Sequence, residues 1–175
     1  MVEEEYEYES GLRRRTWYVL HVKPRTEKKV LDHLRIIGVF RYVPFFKKVT
    51  KVQRKKITRH LPLFPGYVFT KLYPDERLTI LKTQHVVRTI VVENPRRMIH
   101  QLRQIAHAGK MPVEIRPVTN FTPGEYVRMK TGPFMGLEGC VQRKANAVSL
   151  VLMLEILGQA VEVTVDPLDL EKIEK

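Results

Sequence analysis

The chain has 175 residues and a formal charge of +12, from 31 lysines and arginines against 19 acids. That length fits one ordinary domain or two small ones, and 43% hydrophobic residues is enough for a packed core rather than wholesale disorder. A single cysteine, Cys140, excludes a disulfide framework and a cysteine-based zinc site, and the basic excess points to a polyanionic partner.

In chain order, residues 1–15 begin Met1-Val2-Glu3-Glu4-Glu5, too acidic for a secretory signal peptide, and read as a solvated, disordered tail. Residues 13–60 then carry 16 bases against only Glu27 and Asp32. Trp17 to Val22 is aromatic and β-branched, as in a central strand. Thr26 and Gly38 bracket a predicted helix over Glu27 to Ile37, with Val30, Leu31, Leu34 and Ile37 on one face and a wet, mostly positive opposite face. Arg41 to Val49 and Leu63 to Leu72 are strand-like and enclose a hairpin. Between Lys47 and Arg59 lie seven lysines and arginines and no acid, so its tip should repel itself until a polyanion neutralises it.

Pro74, Asp75 and Glu76 start a short helix carrying Leu78 and Leu81. A strand over Val86 to Val92 follows, then a long helix opened by Asn94-Pro95, with Met98, Ile99, Leu102, Ile105 and Ala106 as its apolar stripe and Gly109 as its end. Strand, helix, two strands, helix, strand, helix is the order of a ferredoxin-like, split βαβ sheet, giving an α+β first domain over 16–109. Pro112, Pro117 and Pro123 suggest an extended linker around 110–120. In 121–175, five β-rich segments punctuated by turns fit a small all-β, SH3-like barrel. Val148 to Leu157 is compatible with helix or strand, whereas alternating Val161, Val163 and Val165 favour strand. The longest apolar run, Leu150 to Leu154, is far below the roughly 20 residues of a membrane span, so no membrane partner is expected and a cytoplasmic location is.

Three stretches converge on one family. Trp17-Tyr18-Val19-Leu20 before a basic helix resembles the start of a NusG amino-terminal (NGN) domain, and Leu63-Phe64-Pro65-Gly66-Tyr67-Val68-Phe69 resembles that domain's signature. Pro123-Gly124-Glu125-Tyr126-Val127-Arg128, continuing through Gly132-Pro133-Phe134-Met135-Gly136 to Val141, resembles a KOW motif. The chain is similar to NusG-family elongation and antitermination factors, among them the specialised paralogues of the RfaH-like class. The resemblance implies that an apolar NGN patch docks on the clamp helices of the RNA polymerase largest subunit; the matching residues are Phe64, Pro65, Tyr67 and Phe69, with Tyr42 and Phe45 from the paired strand. By the same resemblance, Thr83-Gln84-His85 aligns with a segment touching the polymerase gate loop.

Upstream or non-template DNA is implied for the basic face, Arg25, Lys28, Lys29 and Arg35, and for the hairpin residues Lys51, Arg54, Lys55 and Lys56. Such cations contact phosphates and set affinity rather than sequence; His21, Arg25 and Arg88 are the candidates for reading a base. The KOW domain is implied to recruit either Rho or a small-subunit ribosomal protein; Phe134, in a glycine-bracketed turn, either plugs the barrel or, the favoured reading, stands exposed or half-exposed as the contact for that partner. RfaH-like members can also convert this domain from a helical hairpin to a barrel, an option the leucine-rich stretch at 148–157 leaves open.

No catalytic constellation stands out. The six histidines, His21, His33, His60, His85, His100 and His107, have no metal-binding spacing, and Ser10 and Ser149 are the only serines. The sequence therefore predicts a monomeric, non-enzymatic regulator with no cofactor and no metal. A ribosome-associated KOW protein binding structured RNA is the alternative, and a nuclease is a more distant one.

Overall fold

The computed structural model describes residues 14–52, 55–110, 115–118, 124–144 and 147–174. The expected tail up to residue 13 and much of the expected linker lie outside the described residues. The chain divides into two compact units: the first ends at Tyr42 and resumes over Gly66–Val92, and the second comprises Val43–Pro65 and the chain from Glu93 onward.

The first unit is a four-stranded sheet, β1 (Thr16–Val22), β2 (Arg41–Tyr42), β5 (Tyr67–Leu72) and β6 (Val86–Val91), in the order β2-β5-β1-β6. Helix α1 (Glu27–Ile36) joins β1 to β2, and β5 is inserted between those two strands, antiparallel to both. This is the split βαβ arrangement that the element order predicts. Val30 and Leu34 are the fully buried residues of α1, and Leu31 and Ile37 are only partly covered. Gly38 takes φ +70 past the end of the helix, and its amide donates to the Arg35 carbonyl. Thr26 stands at the amino-terminal end, yet its hydroxyl donates backwards to the Lys23 carbonyl rather than capping the helix. In α2 (Pro74–Lys82) the expected apolar contacts are corrected: Ile80 is the buried residue, Leu81 is half-buried and Leu78 faces solvent.

The second unit contains a ribbon and a larger all-β sheet. Strands β3 (Phe45–Val52) and β4 (Lys55–Pro62) form a two-stranded sheet of their own, as the hairpin reading predicts. Helix α3 (Pro95–Lys110) is capped by Asn94, whose side-chain oxygen accepts from the Arg97 amide at 3.0 Å. Its buried stripe is Met98, Leu102, Ile105 and Ala108, with Ile99 and Ala106 at the margin, and the helix runs on through Gly109.

The six-stranded antiparallel sheet has the order β12-β8-β9-β10-β11-β7, formed by β7 (Ile115–Val118), β8 (Tyr126–Met129), β9 (Glu138–Lys144), β10 (Ala147–Leu154), β11 (Gln159–Val165) and β12 (Leu170–Lys172). The ambiguous stretch at 148–157 is therefore mostly strand, with only Glu155–Leu157 in a 3-10 turn. Two features differ from the linear reading. Part of the expected linker is strand β7, paired with β11, and α3 packs against β10. Gly139 sits where a Cβ would meet the Val151 carbonyl oxygen at 2.4 Å, so β9 can approach β10 there only without a side chain.

Candidate functional site

The first unit concentrates its functional candidates where β1 ends and β5 begins. Gly66 adopts φ +83, a conformation L side chains rarely take. Its amide donates to Glu27 Oε1 at 2.8 Å, and its carbonyl accepts from the Val22 amide at 2.8 Å. Glu27 is thus a buried carboxylate from the first turn of α1 that fixes where β5 starts. The only trace of this role in the sequence is an acid at a helix start, which dipole complementarity alone would explain.

The register that follows puts His21 opposite both Tyr67 and Arg88, so the three share one sheet face. The Tyr67 ring stacks on His21, with centroids 5.1 Å apart and planes 20° from parallel. Two residues further along, Phe69 lies opposite Val19 and Tyr42 on the same face, its ring 6.5 Å from that of Tyr42. Tyr42 and Tyr67 are half-buried; burial raises the Tyr42 phenol above its usual value of 10.0.

Two expected contact rings need correction. Phe69 is 0% exposed and Phe64 1%, so both are interior rather than presented to a partner. Strand alternation correctly puts Tyr67 and Phe69 on one face but cannot tell which part of that face is covered. Pro65 is exposed, and Phe45, at the base of the ribbon, is 37% exposed.

Arg25, Lys28 and Lys29 are exposed at the start of α1, with Arg25 at φ +62. Arg35 is also exposed, but Asp32 lies 3.3 Å from its guanidinium, a surface pair worth little. Gln84, at φ +59, is the other non-glycine residue in the left-handed region among the described residues. Thr83 ends α2, its hydroxyl donating to the Ile80 carbonyl, and the His85 ring lies 5.9 Å from that of His33. Thr83, Gln84 and His85 therefore form a tied turn with Gln84 at its exposed corner.

In the ribbon, Lys47, Lys48, Lys55, Lys56, Arg59 and His60 are all exposed. Lys51 falls in β3 with its side chain outside the described residues, and Arg54 lies outside them altogether. In the six-stranded sheet, the expectation of an exposed Phe134 is overturned, since the ring is 4% exposed. The Gly136 amide donates to the Met129 carbonyl and the Leu137 amide to the Phe134 carbonyl, folding the turn so that Phe134 points inward while Met135 beside it is 68% exposed. Among the described residues no group of three or more His, Cys, Asp or Glu could hold a metal ion, and no helix is long and apolar enough to cross a membrane.

Comparison with known proteins gives a consistent result. The family model described as "Transcription termination factor nusG" matches residues 15–106. The "Transcription termination/antitermination protein NusG" of Borreliella burgdorferi is 28% identical over 182 aligned residues, which cover 91% of this chain and 99% of the relative. The protein of the same name from Pseudomonas aeruginosa is 26% identical, covering 90% of this chain and 98% of its own. Among solved structures, "Crystal Structure of MjSpt4:Spt5 complex conformation B" aligns over 91% of this chain and 97% of that one at 16% identity, a loose likeness with a TM-score of 0.29.

Proposed function

The chain belongs to the NusG family and is a transcription termination/antitermination factor rather than an enzyme, and on that premise we propose that it binds elongating RNA polymerase through the aromatic face of its first unit. The face is the one carrying Tyr42, Tyr67 and His21, and the partner element is the clamp-helix pair of the polymerase largest subunit. Thr83, Gln84 and His85 reach the gate loop, and the cations of α1 and of the ribbon hold upstream or non-template DNA. The C-terminal all-β unit recruits a second factor, Rho or a small-subunit ribosomal protein, through a surface other than the ring of Phe134. The outcome is suppressed pausing or termination.

The observation that carries this reading is the placement of two half-exposed tyrosines beside a fully buried phenylalanine on one sheet face. Phe69 anchors the face to the core, while Tyr42 and Tyr67, held by strand register, present amphipathic rings at low entropic cost. Rings of this kind dominate binding energy when they sit near the centre of an interface.

The test replaces both tyrosines with alanine in the full chain and titrates fluorescent polymerase. Affinity should fall at least about tenfold, while Lys55→Gln with Lys56→Gln should change it much less. Undiminished polymerase binding by the tyrosine variant, its circular dichroism matching the parent's, would remove the assigned face.

A further inference from the structure

The β3–β4 ribbon has a geometry that narrows its ligand. We infer that the ribbon seats in the major groove of a B-form DNA duplex, lying along the groove as a two-stranded element. The inference rests on the nucleic-acid part of the reading above and specifies which form of nucleic acid the ribbon takes.

Four observations carry it. First, the ribbon is a sheet of two strands among the described residues, each eight residues long. At roughly 3.4 Å per residue such a ribbon is about 27 Å long, and a major groove of about 12 Å admits an element of two strands. Second, its cations occupy both faces. Lys47 is registered with His60 and Lys48 with Arg59, and these adjacent pairs point to opposite sides; Lys55 and Lys56 repeat the pattern. A ribbon lying on a surface needs charge on one side, whereas a groove has a phosphate wall on each.

Third, the register sets like charges directly opposite each other, Lys48 against Arg59. That arrangement destabilises an isolated hairpin, so it fits a ribbon completed by an anionic ligand. Fourth, beyond its base, where Phe45 and Phe46 stand, the cationic part of the ribbon, residues 47–59, contains no aromatic side chain. Sequence-independent single-strand binding combines cations with aromatic stacking platforms, so the ribbon's composition favours a duplex. A-form RNA has a major groove too deep and narrow for side chains to read, which selects DNA.

Lysines on the edges of a lone ribbon also deter pairing with other strands. That role alone would leave DNA affinity untouched when the lysines are neutralised.

The experiment uses the full chain and a labelled 20-base-pair DNA duplex across a salt series, with the single strand and the matching RNA duplex as competitors. Replacing Lys47, Lys48, Lys55 and Lys56 with glutamine should weaken duplex binding at least about tenfold and shallow the log–log salt slope by about 0.9 for each phosphate that is no longer neutralised. Duplex DNA whose major groove is blocked by glucosylated hydroxymethylcytosine should bind as weakly as the variant does, while a minor-groove ligand should leave binding intact. Equal binding of blocked DNA, stronger binding of the RNA duplex or single strand, unchanged affinity of the variant, or no duplex binding by the parent chain would each overturn the inference. Polymerase titration of the same proteins separates the two readings: retained polymerase binding with a negative groove test removes only the inference, and lost polymerase binding with a positive groove test removes only the docking face.

Discussion

Glu27 shows how one buried side chain positions several others. Its carboxylate sits at the amino-terminal end of α1, where the helix dipole favours negative charge, and accepts the Gly66 amide at the start of β5. Glu27→Ala would leave that amide without its acceptor, at a cost of about 1–3 kcal/mol. Urea unfolding should show a correspondingly lower midpoint, and Glu27→Gln, which keeps a carbonyl acceptor, should recover part of the loss. Phe134 makes the opposite point, since a glycine-bracketed aromatic invites reading as a contact yet is core. Phe134→Ala should cost about 3–5 kcal/mol of stability in the second unit, whereas Met135→Ala should be nearly silent in the same measurement. Tyr42 is held protonated above its usual 10.0 by burial, and Tyr126 likewise by burial and then by Glu138. The folded chain therefore binds more protons than the unfolded chain once the pH passes 10.0, so this part of the stability is intact below that value and is lost as pH rises through the folded-state value. Denaturation midpoints measured at rising alkaline pH should fall, and less steeply in Tyr42→Phe.

At the scale of elements, patterns that repeat locally were legible and partnerships across the chain were not. Helix α1 announced itself by Val30 and Leu34 at helical spacing, and the ribbon by its alternation and unopposed charge. Both signals reside in neighbouring residues. Strand β7 did not, because Pro117 and its short length mimic a linker, and only pairing with β11 makes Ile115–Val118 a strand. The candidate site divides the same way. Alternation placed Tyr67 and Phe69 on one face, but the burial of Phe69 depends on what covers a sheet, which periodicity does not encode. The hydrophobic stripe of α3 marks it as a helix, but the polar contacts that tie it to the start of β9 and to the turn after β10 are invisible in that stripe. Gln104 accepts from the Glu138 amide at 2.9 Å, Gln101 from the Glu155 amide at 3.1 Å, and Arg97 pairs with Glu155 at 2.6 Å. Replacing both glutamines with leucine removes two acceptors, and hydrogen exchange at the amides of Glu138 and Glu155 should accelerate while that of Leu150, inside β10, stays slow.

Across the whole molecule the charge is sorted along the chain, and this is the broadest physical statement it makes. Residues 13–60 carry 16 bases against two acids, whereas 121–175 carry six bases against eight acids. A uniform distribution of the same +12 would give a diffuse attraction to any polyanion; the observed sorting concentrates it in residues 13–60 and leaves the C-terminal part slightly acidic. In α1, Lys28 and Lys29 are exposed and form no ion pair among the described residues, unlike Arg35 beside Asp32. If they contact phosphates, Lys28→Gln with Lys29→Gln should reduce the log–log salt slope of DNA binding by about 1.8 on a duplex and about 1.4 on a single strand. The affinity loss should be the same for unrelated sequences, because phosphate contacts carry no base information. A slope unaffected by the lysine pair would place the DNA contact elsewhere on the basic segment, and sequence-dependent losses from that pair would assign those lysines to base edges instead.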